Sequence, residues 1–234
     1  MNLQKRSYQP ELLDGENIPF DDIKINMQEL SVINTWLGGH KITLNGFKKL
    51  VGNRKSVTVC EIGCGGGDNL KAIANFCIRH NIILSIVGID KNKNCIDVAK
   101  ELFDSRINTN WIIADYATVN FKQKPDIIFS SLFCHHFTDN EIRFQLEWMK
   151  ENSELGFFIN DLHRNYLAYY SILFLTKIFS QSYLVKYDAA LSVARGWRKK
   201  EWIALLALTN IQYYTISWKW AFRYLILVQH AKTK

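Results

Sequence analysis

Apolar positions along this chain follow two periods. Between about residues 57 and 161, five short runs rich in valine, isoleucine and phenylalanine recur, at 57–62, 82–90, 107–114, 125–132 and 155–161. Each ends in polar or glycine-containing sequence, as strands do. The intervening stretches 69–80, 92–103 and 139–151 carry apolar residues at helical spacing. Strand and helix in alternation predict a parallel sheet with helical crossovers. The run 125–132 is apolar on both of its alternating faces, which places it centrally in that sheet. Two helices precede the first strand. One starts at Asp21 or Asp22 and carries Ile23, Met27, Leu30 and Ile33 on one face, until Gly38-Gly39 stops it. The other covers 41–51. They predict a helical arm, residues 1–54, over a main domain at 55–234. After residue 163 the pattern changes. Residues 165–186 are dense in aromatic and aliphatic side chains, 199–208 are helical, and 211–219 and 221–230 alternate and abut as an antiparallel pair.

The first strand runs into a glycine-rich turn, Glu61-Ile62-Gly63-Cys64-Gly65-Gly66-Gly67-Asp68. Glycines let a backbone turn with positive φ and approach a ligand closely. The helix that follows aims its free N–H groups and positive end at that ligand. The dinucleotide fingerprint G-x-G-x-x-G needs a third glycine where Asp68 stands, and no Gly-Lys-Ser/Thr follows for a Walker loop. What remains is acid-x-Gly-x-Gly-x-Gly. An acid also closes the second run at Asp90, where it can accept both hydroxyls of a ribose. Asp115 closes the third, His135 and His136 follow the fourth, and Asp161 and His163 follow the fifth. Ligands of open α/β sheets bind at these carboxyl ends.

This ordered series resembles the class I S-adenosyl-L-methionine-dependent methyltransferases over about residues 55–230. The resemblance implies an α/β fold, a Rossmann-like mixed sheet of seven strands in the order 3-2-1-4-5-7-6, with a helical insertion after strand 5. It implies S-adenosyl-L-methionine as cofactor and S-adenosyl-L-homocysteine as product. Glu61 suits the cofactor's ammonium, and Gly63, Gly65 and Gly67 let the chain curl around its methionine end. Asp90 takes the ribose, Asp115 the adenine amino group, and Tyr116 packs on the ring. The segment Ser131-Leu132-Phe133-Cys134-His135-His136 is similar to the fourth-strand end of quinone-biosynthesis-like methyltransferases, which adds Ser131 to the cofactor set. Three further pieces look like the bacterial methyltransferases encoded beside type III polyketide synthases: Ile33-Asn34-Thr35-Trp36-Leu37-Gly38-Gly39-His40, the stretch from Asn160 to Tyr169, and the stretch from Asp188 to Gly196. That group implies a small, lipophilic phenolic or polyketide acceptor.

For oxygen methylation, a histidine at the active edge would take the acceptor's proton. His136 and His163 are the candidates and His135 the reserve; as neighbours, His135 and His136 should point apart. Trp36 is either a core anchor or a lid over the cofactor or substrate. No metal-ligand spacing stands out, and no motif of DNA methyltransferases is visible.

The net charge of +7 keeps an RNA-modifying methyltransferase open as a competing reading. However, the basic residues are scattered and no RNA-binding signature accompanies them. A non-catalytic cofactor-binding module is the third reading. The five cysteines form no C-x-x-C pair, which argues for reduced thiols, a cytoplasmic setting and no zinc or disulfide frame. No secretion signal is visible. The uncharged run 165–176 is too short to span a bilayer. It reads as a packed helix, a greasy wall for an apolar substrate, or a helix in peripheral contact with a membrane.

Overall fold

The computed structural model describes residues 2–15, 17–103 and 106–230, so the outer ends of the two expected domains, residues 1 and 234, lie outside them. A sheet of seven strands has the order β3-β2-β1-β4-β5-β7-β6. Its strands are β1 (Ser56–Ile62), β2 (Ile83–Asp90), β3 (Asn108–Ile113), β4 (Ile127–Ser131), β5 (Gly156–Leu162), β6 (Tyr214–Lys219) and β7 (Arg223–Gln229). The first five pair in parallel, and β7 enters antiparallel between β5 and β6. Every residue of β4 is buried, as its two apolar faces require.

One sheet face is covered by α2 (Gly39–Val51), α3 (Asp68–Arg79) and α4 (Lys93–Glu101), through Phe47, Leu50, Leu70, Ile73 and Ile96. The other face is covered by α5 (Asp139–Asn152) and α8 (Lys199–Ala207), through Ile142, Leu146, Trp202 and Leu206. α5 starts in a capping box between Thr138 and Glu141, which satisfies the backbone donors of its first turn. α1 (Phe20–Trp36) packs Ile23 and Met27 against Cys95 and Val98 of α4, so the arm crosses the strand ends. Gly38 alone makes the break after α1, with φ of 76°, and Gly39 already belongs to α2.

The stretch 165–186 departs from the packed-helix reading, one of the three that the sequence left open. It forms α6 (Tyr166–Phe179) and the start of α7 (Tyr183–Arg195). Between them the Glu29 carboxylate accepts from the Ser180 hydroxyl and from the backbone N–H groups of Gln181 and Ser182. α6 rests mainly on α7 rather than on the sheet. It buries only Ala168 and Thr176, while Tyr170, Phe174, Ile178 and Phe179 stay exposed. No described helix is long and apolar enough to cross a membrane.

Candidate active site

The glycine turn joins β1 to α3 with φ of 63°, 49° and 77° at Gly63, Gly65 and Gly67. At Gly63 two demands coincide. The positive φ strains any other residue, and an added Cβ would stand 2.2 Å from the Phe133 ring. The turn is held from outside its own segment. The N–H of Gly65 donates to Asp90 Oδ2 at 2.8 Å, and that of Gly66 meets the Met27 sulfur at 3.2 Å.

Beside the turn lies a cavity of about 960 Å³. Three buried or nearly buried acids face it. Burial pushes the Glu61 carboxyl well up, reinforced by Asp68 and Asp90, and its Oε2 has no hydrogen-bond partner among the described residues. Burial also raises Asp90, although its oxygens accept from the N–H groups of Gly65 and Asn92. At Asp68 burial works upward too, but a 2.7 Å contact with His40 Nε2 and a 2.8 Å bond from Asn34 outweigh it and hold the carboxyl down. Three acids and an orphaned carboxylate oxygen favour a cationic ligand.

Of the residues expected from the sequence, Glu61, Gly63, Gly65, Asp90, Tyr116, Ser131 and His136 line the cavity. Gly67 caps α3 just outside it. Asp115, Trp36 and His163 are not brought in. Asp115 spends its carboxylate on Lys91 at 2.9 Å and on the N–H of Ala117 at 3.0 Å. Trp36 is 83% exposed, neither core anchor nor cover of the cavity. His163 lies against the Tyr224 ring, and burial followed by the charges of Arg198 and Arg164 lowers its pKa.

His135 and His136 do not point apart. Their ring centroids are 4.4 Å apart and their planes 33° from parallel. Both sit on the 3-10 turn Cys134–His136, which is clamped by arginines from distant segments. Arg195 donates to the carbonyls of His135 at 3.1 Å, His136 at 2.8 Å and Gln9, while Arg6 donates to those of His135 at 2.7 Å and Phe137 at 2.6 Å. That clamp, and carboxylates on either side, draw the rings together. His135 Nδ1 pairs with Asp161 Oδ1 at 2.8 Å, and His136 Nδ1 with Asp14 Oδ1 at 3.1 Å. Burial works to neutralise His135, but Asp161 and Glu11 prevail and push it up to about 9.

The sequence family described as methyltransferase domain matches residues 59–151. Residues here are 26% identical over 129 positions to the mitochondrial ubiquinone biosynthesis O-methyltransferase of Saccharomyces cerevisiae, covering 52% of this chain and 39% of that protein. The chain thus spans about two fifths of the length of this relative. Among solved structures, the plantazolicin methyltransferase BpumL with SAH superposes with a TM-score of 0.64 at 16% identity, over 88% of each chain. The magnesium protoporphyrin IX methyltransferase of Synechocystis PCC 6803 with bound SAH superposes with a TM-score of 0.53 at 14% identity, over 93% of this chain and 90% of that one. Residues 59–151 thus match a methyltransferase domain, and the chain has the fold of methyltransferases solved with S-adenosyl-L-homocysteine.

The cavity fits S-adenosyl-L-methionine by its own chemistry. Glu61, Asp68 and Asp90 line it, and the unpaired Glu61 oxygen can meet a cation. Several residues of this wall carried no sequence signal for the role: Met27, Asn34, Phe133 and Asp14. Asp68 was legible as the position that broke the dinucleotide fingerprint. Asp14, in an irregular polar segment, offered nothing to read.

Proposed function

We propose that this methyltransferase transfers the methyl group of S-adenosyl-L-methionine to an oxygen of a small, lipophilic phenolic, polyketide-like or quinone-like acceptor. The observation that carries the proposal is a cavity of about 960 Å³ that is acidic along β1 and β2 and bordered by Phe133, His136 and Phe137 after β4. That volume is near the top of the usual range of about 300–1,000 Å³, which leaves space for a second molecule beside a cofactor. When bound, the cofactor supplies an electrophilic methyl on a sulfonium. Glu61, Gly63 and Gly65 hold its amino-acid end, Asp90 its ribose, and Tyr116 and Ser131 border the remainder. The protein's work is alignment, because an in-line displacement gains most from positioning. His136, the one candidate histidine on the wall, meets the acceptor's hydroxyl and eases loss of its proton.

Binding and turnover test this in sequence. Calorimetry on ligand-free protein should show micromolar binding of S-adenosyl-L-methionine and S-adenosyl-L-homocysteine and none of NAD. Alkylphenols and alkylresorcinols should then gain one methyl group on oxygen by mass spectrometry. Binding of NAD alone would overturn the cofactor reading, and carbon-methylated products would overturn the oxygen assignment. The charge of +7 supports an RNA substrate as second reading. Salt-sensitive RNA binding at low micromolar concentration would favour it. Five buried free cysteines support a reducing, cytoplasmic compartment.

A further inference from the structure

We infer that Glu11, His135 and His136 form a site for one divalent transition-metal ion of the zinc class. One ligand atom from each lies within 4.8 Å of the others. His135 Nε2 stands 3.4 Å from Glu11 Oε1, and His136 Nε2 stands 3.7 Å from Glu11 Oε2. Charge-assisted hydrogen bonds would close to about 2.7–2.9 Å. Ligands on a tetrahedral zinc with arms of about 2.0–2.1 Å stand roughly 3.3 Å apart, so this spacing suits a shared ion better than direct bonds. The far nitrogens agree. Each Nδ1 is held by its own carboxylate, His135 by Asp161 at 2.8 Å and His136 by Asp14 at 3.1 Å. Metal-bound histidines use this outer support to fix the tautomer and aim Nε2 inward.

Charge points the same way. Glu11, Asp14, Asp161 and Asp188 gather around the turn, against the guanidiniums of Arg6 and Arg195. Metal binding displaces the proton from His135; with both imidazoles neutral, two negative charges remain, and one dication cancels them. Two imidazoles and a carboxylate suit zinc, whereas magnesium and calcium prefer oxygen ligands. Glu11 and His135 are 6% and 2% exposed, so a bound ion is shielded from exchange. The role of the ion rests on the methyltransferase reading. His136 also borders the cavity; with Nδ1 on Asp14 and Nε2 on the ion it acts as a ligand rather than as a base, and the ion supplies the positive charge where a phenol oxygen loses its proton.

The first test is elemental analysis of protein purified without chelator or metal-affinity resin, which should show close to one zinc per chain. After chelation, cobalt(II) should restore the site and develop the visible absorption of tetrahedral coordination. Glu11→Gln keeps the shape and removes the charge, and should weaken cobalt binding at least tenfold with circular dichroism unchanged. Asp14→Asn, at the exposed margin, is the second variant and should weaken it severalfold. Folded wild-type protein with neither zinc nor a cobalt spectrum, or Glu11→Gln binding cobalt as tightly as wild type, would overturn the site. Calorimetry with S-adenosyl-L-methionine separates the two proposals: cofactor binding by wild-type protein that takes up neither zinc nor cobalt removes the ion and leaves the methyltransferase reading standing.

Discussion

The two ends of the cavity are built in opposite ways. The cofactor end is mostly local: Glu61, the glycine turn, Asp68 and Asp90 belong to one strand–helix–strand unit, β1-α3-β2, supported by Met27, Asn34 and His40 of the arm. The histidine end is assembled from afar. Its turn at 134–136 leans on Arg6, Glu11 and Asp14 from the N-terminal segment, on Asp161 from the end of β5 and on Arg195 from the end of α7. A local site tolerates change elsewhere in the chain. An assembled one depends on every segment that reaches it.

If the ends work separately, the largest effect comes from His136→Ala, which should lower turnover by about 10²–10⁴ with cofactor affinity unchanged. A matching loss of affinity by calorimetry would mean that one network serves both. Gly63→Ala is the mirror experiment. Backbone strain and the clash with Phe133 should weaken S-adenosyl-L-methionine binding roughly a hundredfold, about 3 kcal/mol, without loosening the histidine end. Arg195→Ala removes donors from three backbone carbonyls and should cost about 2–3 kcal/mol in thermal unfolding, again with cofactor affinity kept.

A pH test sharpens the cofactor end. Glu61 and Asp90 are raised in the folded protein, so keeping them ionised costs stability as pH climbs from the unfolded carboxylate range through their folded values. A cationic ligand favours the ionised forms. Affinity for S-adenosyl-L-methionine should therefore rise with pH across that window, and calorimetry in buffers of different ionisation enthalpy should detect proton release. Proton uptake would contradict the assignment of these acids. The smallest effect is expected for Trp36→Ala and His163→Ala, both off the cavity, each changing cofactor affinity by less than about 0.5 kcal/mol.

The seven strands were legible because apolar runs of strand length alternate with helical spacing and the closing pair alternates in its own period; their order came only with the family resemblance. The acid–glycine turn was legible because its residues are neighbours, and conformational need and chemistry fall on the same positions. Trp36 misled in both of its readings, since an aromatic beside a break signals burial but not the direction it faces. α6 misled for a related reason: an apolar helix implies a partner, and only the packed chain shows that α7 covers just part of it.

The sequence by itself determined the strands, the crossover helices and the acid–glycine turn, all legible from residues close along the chain. The tertiary structure alone decided that Asp115 turns to Lys91, that His163 stays off the cavity, and that Glu11 meets His135 and His136. Residues 11 and 135 share no spacing that a motif could record. They meet because the arm folds back over the strand ends, where Arg6 and Arg195 supply donors for a turn whose carbonyls would otherwise be buried without partners.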